Sequence, residues 1–168
     1  MPDVGFSVLL PVYAGDRVDF LRRALDSATV EQDLPPAQLV VVVDGPVSLE
    51  LEDVLRERSA TAGSDLMVTV VRLPHNVGLA RALDAGLDYC RHEIVARADA
   101  DDVSLPQRFA AQVPLVADGL DLLGSAIVEF GEDEAERGLV RVPPLEPEEI
   151  AAYARFHDPF NHPSVVYR

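Results

Sequence analysis

Three carboxylates crowd into four positions at Asp99-Ala100-Asp101-Asp102, and no other stretch of the sequence is better suited to chemistry. Hard divalent cations such as Mg2+ or Mn2+ take carboxylate and phosphate oxygens as ligands. Two aspartates one residue apart on a turn can reach such an ion directly or through water. Asp101 is the main expected ligand and Asp99 its companion. Asp102 either adds a metal or water contact or caps the helix that follows. An isolated Asp-x-Asp is more often a solvated acidic turn, so the metal reading here rests on the elements around it.

Other residues fall where they could complete such a site. Asp44 ends an apolar run, where its carboxylate can accept the imide hydrogen of a uracil ring or a ribose hydroxyl, or simply cap a turn. Pro11, Val12 and Tyr13 end another run and can offer backbone groups and an aromatic edge to the same base, with core packing the other use of Tyr13. Asp99 and Ala100 join them as nucleotide contacts. Arg97, just before the acidic turn, and Arg81, early in the preceding helix, can approach phosphate or pair with the aspartates. His162 in Asn161-His162-Pro163 is the histidine placed for a metal or phosphate contact, with a structural role as its alternative. His75 is expected to shape its loop.

These residues need a scaffold that brings strand ends together. Apolar runs at 6–12, 39–43, 67–73 and 93–98 read as strands, the first two buried on both faces. Helical spacing predicts helices between them: 17–30 with Asp16 as cap, one capped by Ser48, and one after His75-Asn76-Val77-Gly78 with Leu79, Leu83, Leu87 and Cys90 on its buried face. Ser104-Leu105-Pro106-Gln107 has the spacing of a capping box, which sets the acidic cluster between a strand end and a helix start. Pro114 should kink or end that helix. An extended segment over 120–130, a polar loop or hairpin tip over 131–141 and a short helix over 147–156 complete the chain. Strands alternating with helices predict an α/β fold with a mostly parallel sheet covered on both faces. Ligands of such sheets gather beyond the carboxyl ends of the strands.

Bulk properties narrow the chemistry further. With 168 residues, 48% of them hydrophobic, the chain can bury one domain core. The sequence shows neither a signal segment nor a membrane span, so a cytoplasmic protein is expected. The net charge of −15 opposes binding to nucleic acid. All 14 basic residues are arginine, and the absence of lysine excludes Schiff-base chemistry and the P-loop lysine. It also argues against a phosphoacceptor signalling domain, and the region 7–17 lacks the Gly-rich, lysine-containing segment of nucleotidyltransferases. An acidic protein that binds a diphosphate needs a local change of sign, which a cation supplies. Cys90 is expected to be a buried structural thiol.

The motifs Ser7-Val8-Leu9-Leu10-Pro11-Val12-Tyr13, Asp44-Gly45, Asn76-Val77-Gly78-Leu79 and Asp99-Ala100-Asp101-Asp102 occur in the order found in the family 2 glycosyltransferases of GT-A fold, which the sequence resembles over nearly its whole length. The string from Ile94 to Pro106 and the closing His162-Pro163-Ser164-Val165-Val166-Tyr167-Arg168 look like the bacterial branch that builds exopolysaccharide and surface glycans. The resemblance implies one Rossmann-like GT-A domain over 1–168 and inverting transfer of a sugar from a nucleoside diphosphate donor, a UDP-sugar before others. Pro11, Tyr13 and Asp44 would hold the nucleoside, and the acidic turn the metal-diphosphate. The acceptor would be a glycan or a lipid-linked sugar, the latter implying peripheral association with the inner face of the membrane.

The sequence also departs from the family pattern. Leu83 stands where an arginine is common and Val43 where a second acidic residue often precedes the strand-end aspartate. The base in such enzymes comes from a Glu-Asp pair beyond the His-Pro segment, which places base and acceptor-side region beyond Arg168. A non-catalytic nucleotide-sugar-binding or assembly module of the same fold is the alternative.

Overall fold

The computed structural model describes residues 4–63, 65–131 and 136–168. Its central sheet is built from β1 (Ser7–Tyr13), β2 (Gln38–Asp44), β3 (Met67–Arg72), β4 (Val95–Arg97), β5 (Leu122–Leu123) and β8 (Val166–Tyr167), in the order β3-β2-β1-β4-β8-β5. The first four strands run parallel, and β8 is antiparallel to both β4 and β5. A separate hairpin pairs β6 (Ile127–Phe130) with β7 (Arg137–Arg141). The stretch 131–141, expected as a polar loop or hairpin tip, thus belongs to a hairpin whose second strand begins already at Arg137, and its residues 132–135 lie outside the described residues.

The unbroken apolar runs of β1 and β2 follow from burial on both faces. Val8, Leu10, Val12, Leu39, Val41 and Val43 point into the larger core, beneath α1 (Val18–Ser27), α2 (Leu49–Thr61) and α4 (Arg108–Ala117). Leu9, Val40, Val42 and Val95 point the other way, toward α3 (Leu79–Leu87). The expected stripe of Leu79, Leu83, Leu87 and Cys90 holds only in part, with Leu83 and Cys90 packed half-buried against this core. Ala82 and Gly86 face the sheet, while Leu79 and Leu87 are exposed. Close approach explains the exchange: a Cβ on Gly86 would lie 2.5 Å from Leu9 Cδ1 and Val42 Cγ2. Cys90 is half-buried beside this smaller core, and burial pushes its thiol up to about 11.

Helix ends also differ in detail from the sequence reading. Ser48 caps α2 as expected, accepting from the Leu51 amide at 3.3 Å. Asp16 does not cap α1. Its Oδ2 accepts from the Tyr13 amide at 2.8 Å, closing the turn after β1, and Arg17 takes the N-cap position. The Ser104 capping box does not form either, because α4 starts at Arg108 with Gln107 as N-cap and Ser104 is drawn into a buried network. Pro114 stays inside α4, which continues to Ala117 and turns at Gly119 with φ 119°. The short α5 (Pro147–Tyr153) buries no residue. Among the described residues no helix is long and apolar enough to cross a membrane.

One glycine is indispensable to the strand-end layer. Gly45 sits at φ 83°, and a Cβ there would lie 2.6 Å from the Asn76 amide nitrogen. Left-handed backbone strain costs an L-residue about 1–2 kcal/mol, and the clash is with backbone that cannot swing away. Gly45→Ala is therefore expected to lower the unfolding free energy by at least about 2 kcal/mol in urea titration. A variant as stable as the parent would show that the two turns are not locked together.

Candidate functional site

The sheet order reverses between β1 and β4: from β1 the chain winds outward through β2 and β3, then returns to lay β4 on the opposite side of β1. A crevice opens beyond the carboxyl ends of strands at such a switch point. Three turns meet there, after Tyr13, at Asp44 and at Asp99. They line a cavity of about 560 Å³ together with Asn76, Gly78 and Leu79. A second cavity of about 930 Å³ lies beyond the acidic turn, walled by Val103, Leu105, Ile127, Val128 and Phe130. Asp101 and Phe20 border both.

Asp44 is buried, and its carboxylate takes the Val77 amide at 2.7 Å and the Gly78 amide at 3.0 Å. Its turn-holding role is thus realised, while two lone pairs per oxygen leave capacity for a further donor. Pro11, Val12 and Tyr13 all line the smaller cavity, with Val12 buried and Tyr13 exposed. Asp99 and Ala100 line it as well. The acidic turn, in short, is shared, with Asp99 facing the first cavity, Asp102 the second and Asp101 both.

The two arginines part company. Arg97 is buried and donates to both Asp99 oxygens, at 2.9 and 3.3 Å, so it holds the acidic turn instead of reaching into the cavity. Its Nε is the single buried side-chain polar atom without a partner among the described residues. Arg81 is exposed on α3 and lines neither cavity. In its place Arg17 lines the smaller one, paired with Asp19 at 2.7 Å and stacked 4.0 Å over the Phe20 ring. His162 lies in a 3-10 turn, His162–Ser164, half exposed and paired with Asp158, close enough to Asp99 to lower its pKa. Sequence reasoning passed over Asp16, Arg17, Phe20 and Asn76. The signal for the first two was their place directly after Tyr13-Ala14-Gly15, and for Asn76 its place in a Gly-containing turn before a helix.

Electrostatics favour a cation. Burial raises the Asp99 pKa against the lowering pull of Arg97, and Asp101 adds to the rise. Burial, then the charges of Asp99 and Asp101, push Asp102 up to about 6. Asp16 is raised too, by burial first and by Asp101 and Asp99 in addition. The charges of Asp99 and Asp101 thus oppose ionisation of both Asp16 and Asp102, and carboxylate oxygens of this kind suit a hard divalent ion. Among the described residues no three His, Cys, Asp or Glu side chains form a ready cage for a metal. Mg2+-type ions commonly take one or two carboxylates and complete their shell with substrate phosphates and water, and the open turn fits that mode.

A mostly parallel α/β sheet with this turn at its switch point is the GT-A architecture. TarS of S. aureus in complex with UDP aligns over 98% of the chain and 47% of its own, with a TM-score of 0.71 at 20% identity. The mannosyltransferase PcManGT from Pyrobaculum calidifontis, in complex with GDP-Man and Mn2+, aligns over 71% of the chain and 34% of its own, with a TM-score of 0.62 at 27% identity. The family model for Glycosyl transferase family 2 matches residues 7–166, and the chain belongs to that family. It is 40% identical to the amylovoran biosynthesis glycosyltransferase AmsE of Erwinia amylovora over 166 residues, 97% of this chain and 59% of the relative. It is 32% identical to the UDP-Gal:alpha-D-GlcNAc-diphosphoundecaprenol beta-1,3-galactosyltransferase of Escherichia coli over 165 residues, 97% of this chain and 58% of the relative. The chain thus spans about three-fifths of the length of these relatives.

Proposed function

We propose that this chain binds the donor for a metal-dependent, inverting glycosyltransferase that moves a sugar from a nucleoside diphosphate to a glycan or lipid-linked acceptor in bacterial surface-polysaccharide synthesis. The observation that carries the reading is the acidic turn shared by two cavities at the sheet's switch point. Tyr13, Asp44, Asn76 and Leu79 surround the nucleoside in the smaller cavity, and Asp99, Ala100 and Asp101 meet the diphosphate. Asp101, with Asp99 and Asp102 beside it, would hold Mg2+ or Mn2+, which when bound neutralises charge developing on the departing diphosphate.

The donor sugar then reaches toward the larger, mainly apolar cavity, and an acceptor hydroxyl approaches from that side. Separate cavities on either side of Asp101 suit inversion, because attacking and leaving oxygens stand on opposite faces of the sugar carbon. Arg17 sits at the nucleotide end of the site, and the buried Arg97 holds Asp99 in place. The AmsE and galactosyltransferase relatives support the polysaccharide and lipid-linked acceptor classes, and PcManGT supports the divalent ion. Work at a lipid-linked acceptor would keep the protein at the inner face of the membrane, in the cytoplasm.

Isothermal titration with UDP, with and without Mn2+, tests this reading. UDP is expected to bind at least about tenfold tighter with Mn2+, since a bridging ion replaces repulsion between diphosphate and carboxylates. Equal affinity in both conditions, repeated with GDP, would count against a metal-diphosphate site.

A further inference from the structure

Ten residues without regular structure, 98–107, join β4 to α4 and carry all three aspartates of the turn. What fixes their path past Asp102 comes from the last residue of α1 and the turn after it, more than seventy positions earlier in the chain. Gln32 is buried there, and its Nε2 donates to the carbonyls of Ser27 at 2.6 Å, Leu105 at 3.0 Å and Ser104 at 3.4 Å. Its Oε1 accepts from the Phe109 amide at 3.3 Å. Ser27, also buried, accepts from the Ser104 amide at 3.1 Å through a hydroxyl that itself donates to Ala24 O at 2.9 Å. On the opposite side Arg108 donates to Ser104 Oγ at 2.9 Å and to Arg97 O at 2.6 Å.

We infer that Gln32 and Ser27 are positioning residues for the acidic turn, a polar clasp that sets where Asp101 and Asp102 stand between the two cavities. The inference rests on the proposed metal-diphosphate site for its functional consequence, and on the hydrogen bonds alone for its structural one. Two features separate the clasp from ordinary core packing. Every Gln32 bond from the 104–109 segment is to its backbone, so the clasp fixes the path of the chain regardless of the side chains there. The amide orientation is also forced: turned over, its oxygen would face three carbonyls. A misplacement of about 1 Å at a charged site can cost a hundredfold in function, so a hold of this kind on a turn outside any helix or strand has leverage.

Gln32→Glu keeps the size and sets a carboxylate oxygen against those carbonyls, while Ser27→Ala removes the acceptor for the Ser104 amide together with the local bond to Ala24 O, and serves if the first variant folds poorly. In either variant, amides 101–109 are expected to exchange with deuterium at least about tenfold faster, with β2 amides unchanged. The Mn2+-dependent affinity for UDP should fall about tenfold and the affinity for uridine, which needs no metal, should hold. Ser27→Thr, which retains the hydroxyl, should restore both. Unchanged exchange at 101–109, or lower melting with full Mn2+-dependent UDP affinity, would overturn the clasp. If the parent itself shows no metal-dependent UDP affinity, the site reading fails, and the exchange comparison still decides whether Gln32 and Ser27 hold the turn.

Discussion

Asp101→Asn is expected to remove the Mn2+-dependent component of UDP binding, a loss of at least about tenfold or 1.4 kcal/mol, while the melting curve stays where it was. The expectation combines two properties of the residue. Asp101 is the member of the acidic turn that borders both cavities, so an ion shared between protein and diphosphate has its carboxylate as the natural bridge. It is also exposed, and surface substitutions away from caps and buried networks seldom move stability by more than about 0.5 kcal/mol. The amide keeps the shape and loses the charge, which is what a hard cation binds. Titration with UDP and Mn2+ on the folded variant reads the first effect, and a thermal melt reads the second. Full metal-dependent affinity in Asp101→Asn would remove this carboxylate from the site and with it the chief ligand of the proposal.

Much of this arrangement was legible in the sequence because it rests on local rules. Strands buried on both faces are written as unbroken apolar runs, and Val40 to Val43 cannot be mistaken for an amphipathic helix. Asp-Gly after β2 and the acidic turn after β4 mark strand ends, and alternation with helices places those ends on one side of the sheet. What escaped depends on partners far away in the chain. Ser104 has the local spacing of a helix cap, yet its amide goes to Ser27 and its hydroxyl to Arg108, because a buried polar network outbids an exposed cap. Asp16 looks like the cap of α1 and instead closes the turn after Tyr13. The leucines of α3 suggest a buried stripe, but the close approach of helix and sheet buries Ala82 and Gly86, leaves Leu83 half-buried and exposes Leu79 and Leu87, and no periodicity encodes that distance. Arg81 and Arg17 are equal in charge, and only the fold shows which one reaches the cavity.

Asp99→Asn is expected to behave quite differently from Asp101→Asn, although both remove one carboxylate from the same turn. Asp99 is paired with Arg97, whose side chain is 5% exposed against 25% for Asp99. Breaking a buried pair by removing one member typically costs about 3–5 kcal/mol, because the other charge is left without compensation. The two members differ in how they can escape that penalty. An unpaired Asp99 can take up a proton, and burial has already raised its pKa toward doing so. An unpaired Arg97 cannot release one, since guanidinium stays charged at any pH the fold survives, and its Nε already lacks a partner. Asp99→Asn should therefore destabilise more than Arg97→Met, the first by about 3–5 kcal/mol and the second by less. The double variant Arg97→Met/Asp99→Asn, which leaves neither charge buried, should recover most of the loss, a coupling that a double-mutant cycle in urea measures directly. Metal-dependent UDP affinity should not recover with it, because stability returns by discarding a carboxylate that the turn offers to the cation. Additive destabilisation in the double variant would mean that the two residues stabilise the fold independently, and that Arg97 does not hold the acidic turn through Asp99.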